Sequence, residues 1–205
     1  MNHIEPSLAA EIVSLSLQHL RLVAITIAIA AGLALPTAVL LARRPAARRW
    51  VLGFTNIAQT VPSLALFGFL LPFIGIGEHT AILALSLYAL LPILRNTLTG
   101  ILGVDPGVRE SARAMGMTRR QILWQVELPL AIPSIVSGLR IATVTTIGTA
   151  TIAAFIGAGG LGVFLVRGIA MMDKQALLAG ALPAAAMALA ADEGLEWIER
   201  RLSPA

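Results

Sequence analysis

Catalysis requires a nucleophile, a base or a metal held within reach of one another, and the residue types that supply them are sparse and scattered in this chain. There is no cysteine, which removes disulfides, thiolate metal sites and cysteine nucleophiles together. His3, His19 and His79 are isolated, with no second histidine or carboxylate at ligand spacing. Gly157, Gly159 and Gly162 fit Gly-x-Gly-x-x-Gly, yet they follow an apolar helix rather than a strand and no acid stands about twenty residues on, so a flexible turn is expected there. A phosphate loop needs Gly-Lys-Ser/Thr, and the one lysine, Lys174, follows Asp173. Asp192, Glu193, Glu196 and Glu199, with Arg200 and Arg201, have the spacing of charge pairs on a solvated helix face rather than of an ion pathway. The residues therefore predict no catalytic site, no metal and no resident cofactor.

The elements that carry these residues are made for lipid. Of the 205 residues 57% are hydrophobic and 13% charged, against about 45–50% and 25% in a soluble domain. The mean hydropathy is +0.84. An all-α, polytopic membrane bundle of about five helices is expected, over Leu22–Ala42, Phe54–Ile74, Ala81–Leu98, Ser137–Gly157 and Gln175–Ile198. The third is short and contains Pro92; the fifth meets Asp192 and Glu193 before its end. A basic start and a small-residue cleavage site are missing ahead of Leu22, so the first run reads as a retained helix. The inverted repeats and helices broken around a midplane charge that mark secondary transporters are not evident.

Basic residues set the orientation. Arg43, Arg44, Arg48 and Arg49 follow the first span, Arg95, Arg109, Arg113, Arg119 and Arg120 lie between the third and fourth, and Arg200 and Arg201 follow the fifth. Five spans put all of them on one side, which the positive-inside rule makes cytoplasmic, with the N-terminus outside and the C-terminus inside. Trp50, Trp124 and Trp197 adjoin these clusters as interfacial anchors, and Arg140 is expected to snorkel to the headgroups. The net charge of +4 is thus explained by the membrane, and nucleic acid is not an expected partner.

About forty residues separate the third span from the fourth, too many for a passive connection. Asp105-Pro106 reads as an N-cap with proline at the first helical position, Val108, Ala112 and Met115 recur at helical spacing, and Gly116 supplies a stop. Thr118 and Gln121 form a capping box that opens a second helix leading into the membrane. The short first helix, with Arg109, Glu110 and Arg113 on its polar face, suits a partner's groove better than a lipid surface.

The run Glu110-Ser111-Ala112, three residues, Gly116, nine residues, then Val126-Glu127-Leu128-Pro129 resembles the EAA loop of binding-protein-dependent ATP-binding-cassette (ABC) importer permeases, with Ser111 for alanine and Val126 for isoleucine. Gln59-Thr60-Val61-Pro62-Ser63-Leu64-Ala65, Leu91-Pro92-Ile93-Leu94-Arg95-Asn96-Thr97 and Ile156-Gly157-Ala158-Gly159-Gly160-Leu161-Gly162 resemble the osmoprotectant branch, the permeases for glycine betaine, carnitine and choline. The resemblance implies a type I transmembrane domain over 17–198 with the coupling loop at 105–129. It implies a multi-pass inner-membrane subunit that pairs with a second permease, the same or a related chain. It also implies cytoplasmic ATPase subunits that bind ATP and magnesium, and a periplasmic or lipid-anchored substrate-binding protein.

By that likeness Glu110, Ser111, Ala112, Gly116, Leu128 and Pro129 carry the coupling: Glu110 by a polar contact with the ATPase, Ala112 by being small enough to seat, Gly116 by turning the chain. Asn56, Gln59, Thr60 and Ser63 in the second helix, and Thr145, Thr146 and Thr149 in the fourth, are candidates for the translocation path. The same residues serve equally as helix-packing positions. With Tyr88 the only tyrosine, an aromatic cage for a quaternary amine is expected in another subunit. A permease for another small polar substrate such as methionine, or a stand-alone secondary transporter, are the alternatives.

Overall fold

Apolar side chains leave the backbone as the main hydrogen-bonding group, and in lipid it must satisfy itself, which favours helices. The computed structural model describes residues 7–202, and the regular structure among them is all helical. In chain order the helices are α1 (Leu8–Ala42), α2 (Pro45–Thr60), α3 (Ser63–Ile74), α4 (Glu78–Leu102), α5 (Pro106–Ala114), α6 (Arg119–Ile122), α7 (Leu128–Ala150), α8 (Gly162–Met171) and α9 (Lys174–Leu202). A π-helical turn, Leu123–Glu127, joins α6 to α7, and a 3₁₀ helix, Ile152–Ile156, follows α7. Four helices or continuous helical runs are long and apolar enough to cross a membrane, and the bent pair α2–α3 makes a fifth span.

The core is a three-helix contact of α1, α4 and α7. Ala30, Ala34 and Ala38 recur at four-residue spacing on α1 and are fully buried, packed with Ala89, Ile93 and Leu94 of α4 and Ala131 and Ala142 of α7. Small residues bring backbones close, the principal source of packing energy between helices in lipid. The α4–α7 approach is closest at Gly138, where a Cβ would lie 2.7 Å from Asn96 Cβ and 3.0 Å from the Pro92 carbonyl oxygen. Two ion-pair levels bracket α1: Arg21 meets Glu78 at the start of α4 at 3.0 Å, and Arg43 meets Glu127 at 2.8 Å. At 1.5 Å per residue they are about 33 Å apart along the helix, close to a bilayer's hydrocarbon thickness of about 30 Å.

The sequence boundaries need four corrections. The first helix begins at Leu8, not Leu22, because its polar residues find partners within the chain: Glu11 pairs with Arg167 at 3.2 Å, Gln18 accepts from the Gly160 N–H at 2.9 Å, and the His19 ring meets the Ile147 carbonyl at 3.1 Å. The second span is not continuous. Val61 is extended (φ −69°, ψ 127°) ahead of Pro62, as residues preceding proline are, and α2 and α3 meet at 99°. The third helix is not short, since Pro92 lies inside 25 helical residues. The fourth helix ends at Ala150 rather than Gly157, and α8 was not anticipated at all.

Nor is the glycine segment a free turn. Gly157, Gly159 and Gly160 take φ of 76°, 78° and 73°, and a Cβ on Gly160 would sit 2.9 Å from His19 Nδ1. The segment folds back onto α1. His3 lies outside the described residues, and among those described no cluster suited to a metal occurs.

Gly138→Leu is expected to wedge α4 from α7, destabilising the detergent-solubilised protein by about 1–3 kcal/mol. An unshifted thermal midpoint in that variant would remove Gly138 as the closest point of the core.

Candidate coupling loop and translocation cleft

The loop helix is built by local rules. Asp105 caps α5 by accepting from the Gly107 N–H at 2.6 Å, with Pro106 in the first turn. At its far end Gly116 (φ 81°) closes a Schellman turn: its N–H donates to the Arg113 carbonyl at 2.9 Å and the Met117 N–H to the Ala112 carbonyl at 3.1 Å. Thr118 and Gln121 form the capping box, each binding the other's backbone N–H, at 2.8 and 3.3 Å.

Glu110, Ser111 and Met115 are exposed, whereas Ala112 is 2% exposed. Ala112 is therefore small because α5 lies against its own chain, and it is not free to seat in another protein. Leu128 is half-buried and Pro129 exposed where α7 begins. Between them and the loop stands a residue that sequence reasoning passed over. Glu127 is 5% exposed, with Arg43 Nη2 at 2.8 Å and Arg109 Nε at 3.1 Å. An acid inside an otherwise apolar run was its signal.

A second feature is a cleft of about 410 Å³ among α2, α4 and α7. Gln59, Tyr88, Arg95, Asn96, Thr145, Thr146 and Thr149 supply its polar lining. Gln59 Nε2 donates to the Tyr88 carbonyl at 2.8 Å. That carbonyl is the one Pro92, four residues on and lacking an N–H, leaves without a helical partner. The Tyr88 hydroxyl in turn donates to the Val61 carbonyl at the α2–α3 break. Asn56 accepts from Arg95 at 2.6 Å, so Arg95 is a residue of the cleft wall within α4 and not of a loop.

Thr60 and Ser63 are not among the cleft residues, and Thr60 donates to the Ile57 carbonyl at 2.8 Å. The break between them places the two on different helices, correcting the expected single polar face. Thr145 and Thr149 donate to the carbonyls of Ile141 and Thr145 at 2.5 and 2.9 Å, leaving their lone pairs to the cleft.

The chain matches the model of one protein family, "Binding-protein-dependent transport system inner membrane component", over residues 19–204. It belongs to that family. The permease is similar to a carnitine transport permease protein, OpuCD, of Listeria monocytogenes: 46% identity over 188 residues, 91% of this chain and 84% of the relative. It is equally similar to a choline transport system permease protein, OpuBD, of Bacillus subtilis, at 46% over 91% of this chain and 83% of that one. A structure of an inward-facing methionine ABC transporter, MetNI, shares its fold, with a TM-score of 0.88, 24% identity, and 98% and 100% of the two chains covered. The permease is a multi-pass inner-membrane protein.

Arg140 of the permease does not snorkel. Its guanidinium lies 3.4 Å from Asp192, 3.2 Å from Glu196 and 3.6 Å from Glu199, binding α7 to α9. The acids of α9 are thus an interhelical tie as well as a solvated face, with Glu196 also paired to Arg200 four residues on.

Gln59→Leu should strip the Tyr88 carbonyl of its donor and cost about 1–3 kcal/mol, while Thr149→Val, which removes only a self-satisfied hydroxyl, should cost less than about 1 kcal/mol. Thermal unfolding of the two variants side by side checks the difference. Arg140→Leu leaves three carboxylates without their shared cation, and because the group is partly solvated the expected loss is about 1–3 kcal/mol. An unchanged midpoint in that variant would show α9 to be held by packing alone.

Proposed function

We propose that this permease forms the membrane path of an ATP-driven importer for a compatible solute: glycine betaine, choline, carnitine or a related quaternary amine. The similarity over nine-tenths of the chain to carnitine and choline permeases carries the reading. A methionine substrate is less well supported, since the methionine transporter is only 24% identical. The break in the second span, which speaks for broken-helix transporters in general, is compatible with an importer because it opens onto a cleft.

In this reading two permeases, identical or related, sit on cytoplasmic ATPase subunits that bind ATP and magnesium, and a periplasmic or lipid-anchored binding protein delivers the solute. The N-terminus is outside and the C-terminus inside, the side on which the arginine clusters collect. The exposed face of α5, with Glu110 and Ser111, meets the ATPase, and Gly116 fixes where that helix stops. Nucleotide-driven closure of the ATPases displaces α5 and shifts the bundle between inward- and outward-facing states.

The solute crosses along the cleft past Gln59, Thr145 and Thr149, with Asn56 holding Arg95 at its wall. Weak contacts suffice there, because a path must release what it admits.

The test is copurification of the tagged permease from mild detergent, with uptake of labelled glycine betaine, carnitine and choline in cells lacking other systems. Glu110→Lys should insert normally, lose the ATPase and abolish uptake. Recovery of the permease without any ATPase, or import of none of the three solutes, would overturn the proposal.

A further inference from the structure

The loop helix α5 is joined to its neighbours by compliant covalent links. On one side Gly103, Val104 and Asp105 lead from α4, and on the other a left-handed Gly116 leads to α6. A force applied to α5 alone would swing it about these links before it moved a membrane helix. Non-covalent ties must therefore supply the stiffness, and those that reach the bundle's polar end converge on one carboxylate.

Arg109, on α5, places Nε 3.1 Å from Glu127 Oε1 and donates from Nη2 to the carbonyls of Ile101 and Leu102 at 2.6 and 3.2 Å. These are terminal carbonyls of α4, which have no partner within their own helix. The other oxygen of Glu127 accepts from Arg43, just past the end of α1, at 2.8 Å. So α5, α4, α1 and the start of α7, the three core helices and the loop helix, meet at Glu127. The carboxylate is 5% exposed, and parting from either cation would leave a buried charge poorly compensated.

Glu127 also ends the π turn Leu123–Glu127, a widened turn of the kind found at functional hinges. Covalently, α5 reaches α7 only through that turn and the Gly116 link. The ion pairs bypass both.

We propose that Glu127 is a positioning residue for transport, the post through which displacement of α5 is delivered to α1, α4 and α7 together, with Arg109 as the arm on the loop helix and Arg43 as the arm on α1. This rests on the reading that α5 engages an ATPase. Without the post, ATP hydrolysis would move α5 about its hinges while the bundle stays in place, and the two activities would come apart.

The experiment reconstitutes the complete complex in liposomes and measures ATP hydrolysed per solute imported. Glu127→Gln keeps the shape and one acceptor but removes the charge. It should assemble, keep hydrolysing ATP and raise the ATP-to-solute ratio by about tenfold, within the range of coupling energies between sites. Arg109→Lys, which keeps a cation, should stay near the wild-type ratio. A proportional fall in hydrolysis and import, with the ratio unchanged, would reduce Glu127 to a folding role and overturn the inference.

If Glu127→Gln does not assemble, Arg109→Gln decides, because it leaves the Arg43–Glu127 pair intact while severing α5. A raised ratio supports the post and an unchanged ratio refutes it. A wild-type complex that imports no solute on ATP would sink the proposed function itself, whereas a coupled wild type with an equally coupled variant sinks only this inference.

Discussion

Every backbone N–H and carbonyl inside a bilayer must find a partner within the protein, and the proline positions of this chain make that rule decisive. Pro92 silences one donor, which leaves the Tyr88 carbonyl open, and the amide of Gln59 fills it. Pro62 ends α2, and the carbonyls released there are met by Tyr88 and Thr60. One side chain from each partner thus holds a right-angled break against a proline-bearing helix. The cleft exists because α2 and α3 cannot continue as one rod, so the same two prolines that cost hydrogen bonds create the space a solute needs.

The charged residues follow a matching economy. Between the ends of α1 there is no ionisable side chain after Arg21 until Arg43, and the bundle is fastened at its rims and along α9 by pairs and clusters. Charges of this kind contribute little net stability when solvated, and when buried they chiefly penalise arrangements that separate them. Placing them near helix ends leaves the small-residue interior free to slide or tilt, while the rims keep partners matched. A protein that must alternate between two packings benefits from that division.

Much of the loop was legible because capping and stopping are local: Asp105, Gly116, Thr118 and Gln121 do in the structure what their types and spacing imply. The span boundaries were less legible because they depend on distant partners. Nothing local says that Glu11, Gln18 and His19 belong in a helix, since Arg167, Gly160 and Ile147 are more than a hundred residues away. Pro62 was a local signal, but the apolar run on both sides outweighed it. Arg140 looked like a lone cation because its three acids lie some fifty residues further on, and Glu127 looked like a spacer within a motif. Ala112 faced the opposite way from the one expected, as sequence periodicity gives a helix two faces but not which of them is taken up by the chain itself.

The spacing of the two ion-pair levels on α1 has a consequence for the host membrane. Because Arg21 is fastened to α4 and Arg43 to α7, α1 cannot tilt alone to shorten its reach, and a mismatch with the surrounding lipid has to be met by the bilayer or by the whole bundle at once. The cost is a fraction of a kcal/mol for each ångström of mismatch, about the scale on which membranes of different thickness sort their proteins. The bundle is in that sense a gauge of fixed height, and acyl-chain length becomes one of the conditions under which its two states are balanced.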